Sequence, residues 1–280
     1  MKKSVALLLT LACAFSMVAC GAKTEEAPAA TEEAVVEEAA TEKAVTEEAA
    51  TEEAATEETV EADVKSEGVR TYEEYAAAAL DTEVTVETYV QAKQSWWEDK
   101  ATVYTQDKDG AYFLYEMACS EEDYAKLVPG TKIRVNGYKA EWAGEVEIIE
   151  ATFEILEGSY IAEAEDMTAM LASEELVNHQ NKFVAFKGMT VEASKDADGN
   201  DVAFLYNWDG SGEDGNDLYF NVSLDGQTYT FTVESYLCDN TTDVYAAVKN
   251  LQIGDVVDME GFLYWYEGVN PHITSLTVVE

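Results

Sequence analysis

Alternation of apolar and polar residues is the clearest pattern in the chain, and it predicts β-strands. From Ile149 to Ile155, apolar side chains at every second position alternate with glutamate and threonine. This period of two is typical of a strand that has one face buried and the other in water. Two shorter stretches, 71–80 and 173–180, each precede a long alternating stretch, and they predict short helices.

The pattern occurs twice, which indicates an internal duplication. Residues 127–149 align without a gap on residues 251–273, at a constant offset of 124. The matched pairs are Leu127 with Leu251, Gly130 with Gly254, Gly137 with Gly261, Gly144 with Gly268, and Ile149 with Ile273. The offset is smaller upstream, so most of the extra length of the second copy falls at 195–216. A repeat of this length predicts two domains of the same kind.

Each copy predicts the element order β-β-β-α-β-β. An Asp-Gly pair, at 109–110 and again at 225–226, favours a tight hairpin between the second and third strands. Ser120 with Asp123 three residues later is typical of a helix N-terminus. A glycine inside the fourth strand permits that strand to bend. The order matches a five-stranded Greek-key barrel, so the predicted fold class is mostly β with short helices, arranged as two β-barrels.

The motif L-x-x-G-x-x-I-x-V-x-G-Y at 127–138, together with this element order, resembles OB-fold domains. The whole chain resembles bacterial surface lipoproteins with tandem OB-fold domains. The resemblance implies an OB-like domain 1 at 69–157 and an OB-like domain 2 at 158–280. OB folds bind ligands across strands two and three, between the loop that joins strands one and two and the loop that joins strands four and five. They serve many functions, so the resemblance names no ligand.

The first 20 residues predict an export signal. Lys2 and Lys3 precede an apolar stretch that is too short to span a bilayer. Residues 16–21, SMVACG, resemble a lipobox, which implies that Cys20 is acylated and becomes the mature N-terminus. Met17 departs from the Leu, Val or Ile usual at its position, and an ordinary secretory peptide is the alternative. An acylated protein would be anchored to the extracytoplasmic face of the cell membrane.

Residues 21–67 form an acidic low-complexity segment built on TEEAA units. A five-residue period lays no apolar stripe along a helix, and the composition offers nothing that could build a core. The predicted organisation is therefore a lipoprotein signal peptide, a disordered acidic tether and two OB-like barrels.

Net charge narrows the range of partners. From Gly68 onward, 41 acidic residues stand against 12 basic ones, a net charge of −29. A surface this acidic repels phosphate backbones within about 10 Å and attracts cationic partners. Basic residues interleaved with aromatics occur at 132–142, but the charge around them is acidic. The sequence therefore disfavours nucleic acid as a partner.

Two cysteines remain after Cys13 leaves with the signal peptide and Cys20 takes the lipid. Cys119 and Cys238 each precede a similar helix-like segment, so each is predicted to be a small buried residue in its own domain. A disulfide between them is the alternative in an exported protein.

All five tryptophans fall where an OB domain presents its groove. Trp96 and Trp97 lie in the first interstrand loop of copy one and Trp142 in its last hairpin, whereas Trp208 and Trp265 lie in the insertion and last hairpin of copy two. The candidate ligand-binding residues are these five together with Tyr104, Tyr112, Tyr138 and Tyr264, and Tyr115 and Tyr266 lie nearby. Exposed rings stack on sugars, bases or peptide side chains. Such rings could instead plug the barrel ends or join the two domains, and all three roles stay open.

Neither metal binding nor catalysis is predicted. The acidic loop at 196–217 begins with oxygen ligands at alternating positions, but Asp201 and Trp208 stand where an EF-hand loop needs glycine and glutamate. His179 and His272 are the two histidines, and neither belongs to a recognisable nucleophile or metal motif. We therefore expect no enzyme activity, no cofactor and no metal site.

The predicted function is that of a lipid-anchored extracytoplasmic binding or interaction protein, whose aromatic rims bind a glycan or a peptide. The alternative is a structural or adaptor lipoprotein that contacts another envelope protein and binds no small molecule.

Overall fold

The computed structural model describes residues 65–279. The predicted signal peptide, the lipidation site Cys20 and the tether up to residue 64 lie outside the described residues. Within the described part, no helix has the length and apolar character that crossing a membrane requires.

The first copy forms a closed five-stranded barrel, named barrel 1 here. Its elements in chain order are α1 (Tyr72–Ala77), β1 (Glu83–Lys93), β2 (Lys100–Gln106), β3 (Ala111–Ala118), α2 (Glu121–Tyr124), β4 (Thr131–Trp142) and β5 (Glu145–Ser159). The strand order is β1-β2-β3-β5-β4, and β4 pairs with β1 to close the ring. All neighbours are antiparallel except β3 and β5, which run parallel at Phe113 and Leu114.

The second copy forms barrel 2. It opens with β6 (Glu165–Asp166) and two 3₁₀ turns, Thr168–Met170 and Glu174–His179. The remaining elements are β7 (Phe183–Glu192), β8 (Ser194–Lys195), β9 (Asp201–Val202), β10 (Leu205–Tyr206), β11 (Leu218–Leu224), β12 (Gln227–Val233), α3 (Asp243–Lys249), β13 (Val256–Phe262) and β14 (His272–Val279). Its ring is β7-β11-β12-β14-β13, closed by β13 with β7. This is the same ring topology, in which β12 and β14 are the parallel neighbours, and outside the ring β6 also pairs parallel with β7.

The fold class predicted from the sequence is confirmed, because the structure contains two five-stranded OB-type barrels with few short helices. The tight Asp-Gly hairpin turn forms in the second copy, whereas in the first copy Asp109 and Gly110 lie in a four-residue loop, 107–110, without positive φ. Asp225 and Gly226 both have positive φ, at 51° and 81°, as a type I′ turn requires. Ser120 accepts a hydrogen bond from the Asp123 N–H at 3.1 Å and starts α2. The predicted helix at 173–180 is a 3₁₀ turn instead.

A glycine in the fourth strand of each barrel permits a close approach to the fifth strand. A Cβ on Gly261 would lie 2.2 Å from the carbonyl oxygen of His272, and one on Gly137 would lie 2.8 Å from that of Ile149. The strand register shifts at both places, as at a β-bulge. The duplicated glycines are therefore required by backbone packing.

The extra length of the second copy forms a small subdomain at one end of barrel 2. The β8–β9 hairpin comes first, and β10 then adds to the edge of β11. The Asp196 carboxylate accepts hydrogen bonds from the backbone N–H groups of Asp198 and Asn200, at 3.0 and 2.8 Å, and so shapes the turn.

Each barrel has its own core, and a third cluster joins them. Cys119 lies in the core of barrel 1 and Cys238 in that of barrel 2, buried and unpaired with each other, as predicted. The joining cluster contains Tyr104 and Phe113 from barrel 1 and Phe262 from barrel 2. The Tyr104 ring stacks on Phe262 with centroids 4.4 Å apart. Both barrels therefore belong to one compact unit.

Candidate binding cleft between the two barrels

The faces that OB folds use for ligands are turned toward each other, and a cleft of about 940 Å³ lies between them. Barrel 1 contributes the β1–β2 loop, β2, β3 and the end of β4. Barrel 2 contributes its insertion, β11, β12, the β13–β14 loop and the start of β14. The volume is at the upper end of the range typical of small-molecule sites. The cleft is thus shared, and neither barrel holds it alone.

Three exposed tryptophans form the rim of the cleft. The exposed fractions of Trp97, Trp142 and Trp208 are 68%, 55% and 76%. Trp97 is held in a tight turn by backbone hydrogen bonds to and from Lys100, and the Trp142 ring packs 5.2 Å from the ring of Tyr266. Large apolar side chains left in water are normal singly, whereas a group of them around a cavity marks a contact surface.

The floor of the cleft is made of buried rings where the two barrels meet. Tyr264 stacks on His272 at a centroid distance of 4.2 Å and meets the edge of Phe113 at 5.4 Å. His272 Nδ1 lies 2.7 Å from the Tyr104 hydroxyl. Burial lowers the pKa of His272 to about 3, so this imidazole is neutral at physiological pH. The floor therefore carries no positive charge.

Three carboxylates lie among the rings. Glu116 is paired with Lys100 at 2.6 Å. Asp217 accepts hydrogen bonds from the N–H and hydroxyl of Ser235, at 2.8 and 2.6 Å. Glu234 lies at the end of β12, and its Oε2 atom is buried without a hydrogen-bond partner among the described residues. In the part of the chain that the structure describes, only Glu116 of these three carboxylates is paired with a cation.

Burial raises the pKa of Glu234 to about 8, and the nearby Asp217 carboxylate adds to the rise. Hydrogen bonds from the backbone at Tyr236 and Leu237 and from Gln94 offset part of it. At neutral pH this group therefore holds a proton for much of the time.

Polar contacts between the barrels fix the two walls of the cleft. Ser95 N–H donates to the Tyr236 carbonyl at 2.7 Å, and Glu267 N–H donates to the Ala143 carbonyl at 2.7 Å. Deeper in the joint, Glu145 Oε2 accepts from the Trp265 N–H at 2.9 Å. Loops that carry rim and floor residues are therefore tied together directly.

The predicted aromatic residues divide among the three roles that the sequence left open. Trp97, Trp142, Trp208 and Tyr264 line the cleft, as do Tyr115 and Tyr266. Tyr104 joins the two barrels, and Tyr112 is buried in the core of barrel 1. Trp96 is half-buried and donates its Nε1–H to the Cys119 carbonyl at 2.9 Å. Trp265 packs against the core of barrel 2, and Tyr138 is exposed on β4 away from the cleft.

Sequence reasoning missed several residues of the cleft. They are Phe113, Glu116, Asp217, Tyr219, Glu234, Tyr236 and Asn270. Alternation gave a partial signal, because Thr232 of β12 and Glu234 just after it alternate with the core residues Phe231 and Val233. With 57 acidic residues in the chain, no spacing could single out Glu234.

Comparisons with known proteins assign this chain to no family. No family model matches it, and no curated protein matches it. Similar solved structures include the tetrameric p202 HIN2, with 11% identity and a TM-score of 0.30 over 71% of this chain and 95% of the other. A murine DNA-binding protein bound with double-stranded DNA gives 10% and 0.31 over 70% and 95%. The Ifi202 HINa domain in complex with a 20-base-pair DNA duplex gives 11% and 0.32 over 70% and 92%.

The sequence-based prediction that disfavoured nucleic acid is contradicted by these matches, because two of the structures hold double-stranded DNA. The physical reason for the error is that net charge is a sum over the whole molecule, whereas a binding face responds to the charges close to it. The matches therefore correct the exclusion of nucleic acid, but at these identities and TM-scores they do not assign DNA or any other molecule to this chain as a ligand.

Proposed function

We propose that this chain is a lipid-anchored binding protein of the extracytoplasmic membrane face, and that it holds a glycan or a peptide in the cleft between its two OB-type barrels. The observation that carries the proposal is the group of three exposed tryptophans around one cavity. Indole rings bury large areas against sugar rings or apolar side chains, and they keep a polar N–H for hydrogen bonding. A cleft of about 940 Å³ has room for a ligand of several sugar or peptide units.

The test of the cleft is a triple variant, Trp97→Ala, Trp142→Ala and Trp208→Ala, in the full chain. Glycan and peptide arrays first identify a ligand for the wild-type protein, and a short DNA duplex is probed beside them. We expect the triple variant to lose at least tenfold in affinity, because each ring contributes about 0.5–1.5 kcal/mol beyond its buried area. Calorimetry or fluorescence titration measures the loss.

Tyr138→Ala is the matched control, since Tyr138 is an exposed aromatic residue of β4 that does not line the cleft. It is expected to bind like the wild type. An equal loss in both variants would contradict a site in the cleft. If no array ligand binds but an envelope protein is captured, the adaptor function takes the place of this one.

The lipid anchor is tested at Cys20. We expect the wild-type chain to incorporate a labelled fatty acid and to partition into detergent, because a thioether-linked diacyl group supplies strong membrane affinity. Cys20→Ser should abolish the label and release the protein into the soluble fraction. Undiminished labelling of this variant would contradict lipidation at Cys20.

A further inference from the structure

Two carboxylates of the cleft lack a cationic partner. Neither Asp217 nor Glu234 belongs to an ion pair among the described residues, and the one basic lysine of the lining, Lys100, is paired with Glu116. Within residues 65–279, the Asp217 side chain accepts hydrogen bonds only from the neutral Ser235, and Glu234 Oε2 is buried without a hydrogen-bond partner. Buried charges in proteins are normally paired, because desolvation of an unpaired charge is expensive. Within the described residues, neither acid therefore has a cation to balance its charge when it is ionised.

The two carboxylates lie close to one another and to a tyrosine ring. Leu218 of β11 pairs with Val233 of β12. Asp217 and Glu234 are therefore neighbours at that end of the two strands, and the N–H of Ser235 donates to Asp217 at 2.8 Å. In keeping with this, the Asp217 charge is the largest contribution after burial to the raised pKa of Glu234.

Burial raises the pKa of Tyr219 to about 12, and the charges of Asp217 and Glu234 then add to the rise. Tyr219 and Tyr236 both line the cleft beside the two acids. Carboxylates next to aromatic faces favour an organic cation, because ring faces attract ammonium and guanidinium groups.

We propose that the cleft binds an organic cation, with an ammonium or guanidinium group between Asp217 and Glu234 and its aliphatic part against the tryptophan rim. This inference rests on the proposed function and names the ligand class for the same cleft. The cavity is much larger than one such group, so the cation is part of a larger molecule, either a basic peptide or a free polyamine. The charge of −29 from Gly68 onward raises the local concentration of such ligands.

A hydrated metal ion would suit this centre less well. Calcium takes six to eight oxygen ligands, whereas the cleft surrounds its two acids with Tyr219, Tyr236 and the floor rings. The described residues contain no group of three or more metal-ligating side chains that could hold an ion. Calcium alone is therefore a useful probe in the test.

Proton release accompanies the binding of a cation in this arrangement. Glu234 holds a proton for much of the time at neutral pH, and a bound cation would favour its carboxylate form. Affinity should therefore rise from pH 6 to pH 9. The titratable groups around Glu234 are Asp217 and Tyr219 at β11, Tyr104 on β2, Cys238 after β12, Tyr264 after β13 and the neutral His272 on β14.

The experiment is isothermal calorimetry on the full chain with four probes: tetralysine, fully acetylated tetralysine, spermidine and calcium. A neutral oligosaccharide is the fifth. We expect tetralysine or spermidine to bind, with affinity rising from pH 6 to pH 9, and the acetylated peptide to bind at least tenfold more weakly. Comparison of tetralysine with spermidine distinguishes a peptide from a free polyamine as the source of the cation.

Asp217→Asn and Glu234→Gln keep shape and hydrogen-bond acceptors while removing the charges. Each should weaken cation binding at least tenfold. Glu260→Gln is the control, because it removes the same unit charge from an exposed position of β13 outside the cleft, and it should change affinity less than twofold. Thermal melts verify that all three variants are folded.

The outcomes separate the two proposals. A neutral glycan or acetylated peptide that binds in the cleft, with no effect of Glu234→Gln, overturns the cation inference and leaves the proposed function standing. Equal weakening by Glu260→Gln also overturns it, because the effect would then come from overall charge. Calcium binding that depends on Glu234 would reassign the centre to a metal. No binding of any probe or array ligand counts against both proposals.

Discussion

Glu145 is an ionisable residue whose carboxyl group is buried inside the protein. Its side chain is fully buried in the joint between the barrels, and burial raises its pKa to about 8, with the charge of Glu147 adding to the rise. Burial also raises the pKa of Glu147, to about 7. The groups that face Glu145 are Glu147 on its own strand, Asn181 before β7, Trp265 and Tyr264 after β13, Tyr104 on β2, and Tyr72 and Tyr75 on α1.

The raised pKa of Glu145 predicts that stability falls as the pH increases. An acid whose pKa is higher in the folded state keeps its proton on folding, so its stabilising effect is complete near pH 4 and is lost as the pH passes about 8. We expect Tm to be lower at pH 8.5 than at pH 5, by on the order of 5 °C. Thermal denaturation across this interval measures the change.

The variant Glu145→Gln should reduce this dependence, because an amide keeps an acceptor for the Trp265 N–H and cannot ionise. Glu260→Gln removes one exposed charge and should leave the slope as it is. A wild-type Tm that increases steadily with pH would contradict the prediction.

Individual strands and their turns are the features that the sequence predicts best. The fourth-strand glycines repeat in both copies, whereas the tight Asp-Gly turn forms only at 225–226 and, of the helices that precede the fourth strands, only α2 has a side-chain cap, at Ser120. Two strands therefore bend and pair as the spacing predicts. The helix expected at 173–180 is a 3₁₀ helix over Glu174–His179, a form that proteins use in short pieces.

At the same scale, the fourth-strand glycine of barrel 2 gives a test of crowding. Gly261→Ala should destabilise the chain by more than about 2 kcal/mol, since its Cβ would collide with the His272 backbone. Gly254→Ala has open space around its Cβ and a φ of +95°, so it should cost only about 1 kcal/mol. Urea unfolding measures both. Equal losses would contradict crowding as the reason for glycine at position 261, because Gly261 has no positive φ.

The basic residues of β4 show how a strand can mislead when its neighbours are unknown. Arg134 is paired with Glu87 at 2.8 Å and with Glu154 at 2.6 Å. Lys139 donates to the carbonyls of Ala76 and Ala78, at 2.8 and 2.9 Å, where α1 ends. In the sequence they resemble a binding patch, and in the fold they tie β4 to its neighbours.

At the scale of the whole molecule, the arrangement of the two barrels could not be predicted from the sequence. Alternation identifies which side chains point outward from a strand, as with Phe113 and Glu234, but it does not identify what lies opposite. The cleft exists because two outward faces meet across Tyr104 and Phe262. Its carboxylates differ from the other acidic residues because they are buried where the two barrels come together. The sequence pattern of one barrel does not contain that information.

The shared joint also has a consequence for how the chain is made. Synthesis delivers barrel 1 first, so Tyr104 and Phe113 remain uncovered until Phe262 has been added. At about 5–20 residues per second, this interval is on the order of ten seconds. During this interval, the newly made barrel 1 exposes an aromatic patch. Crosslinking of nascent chains should therefore detect a chaperone bound at this patch, and the chaperone should not bind the completed protein.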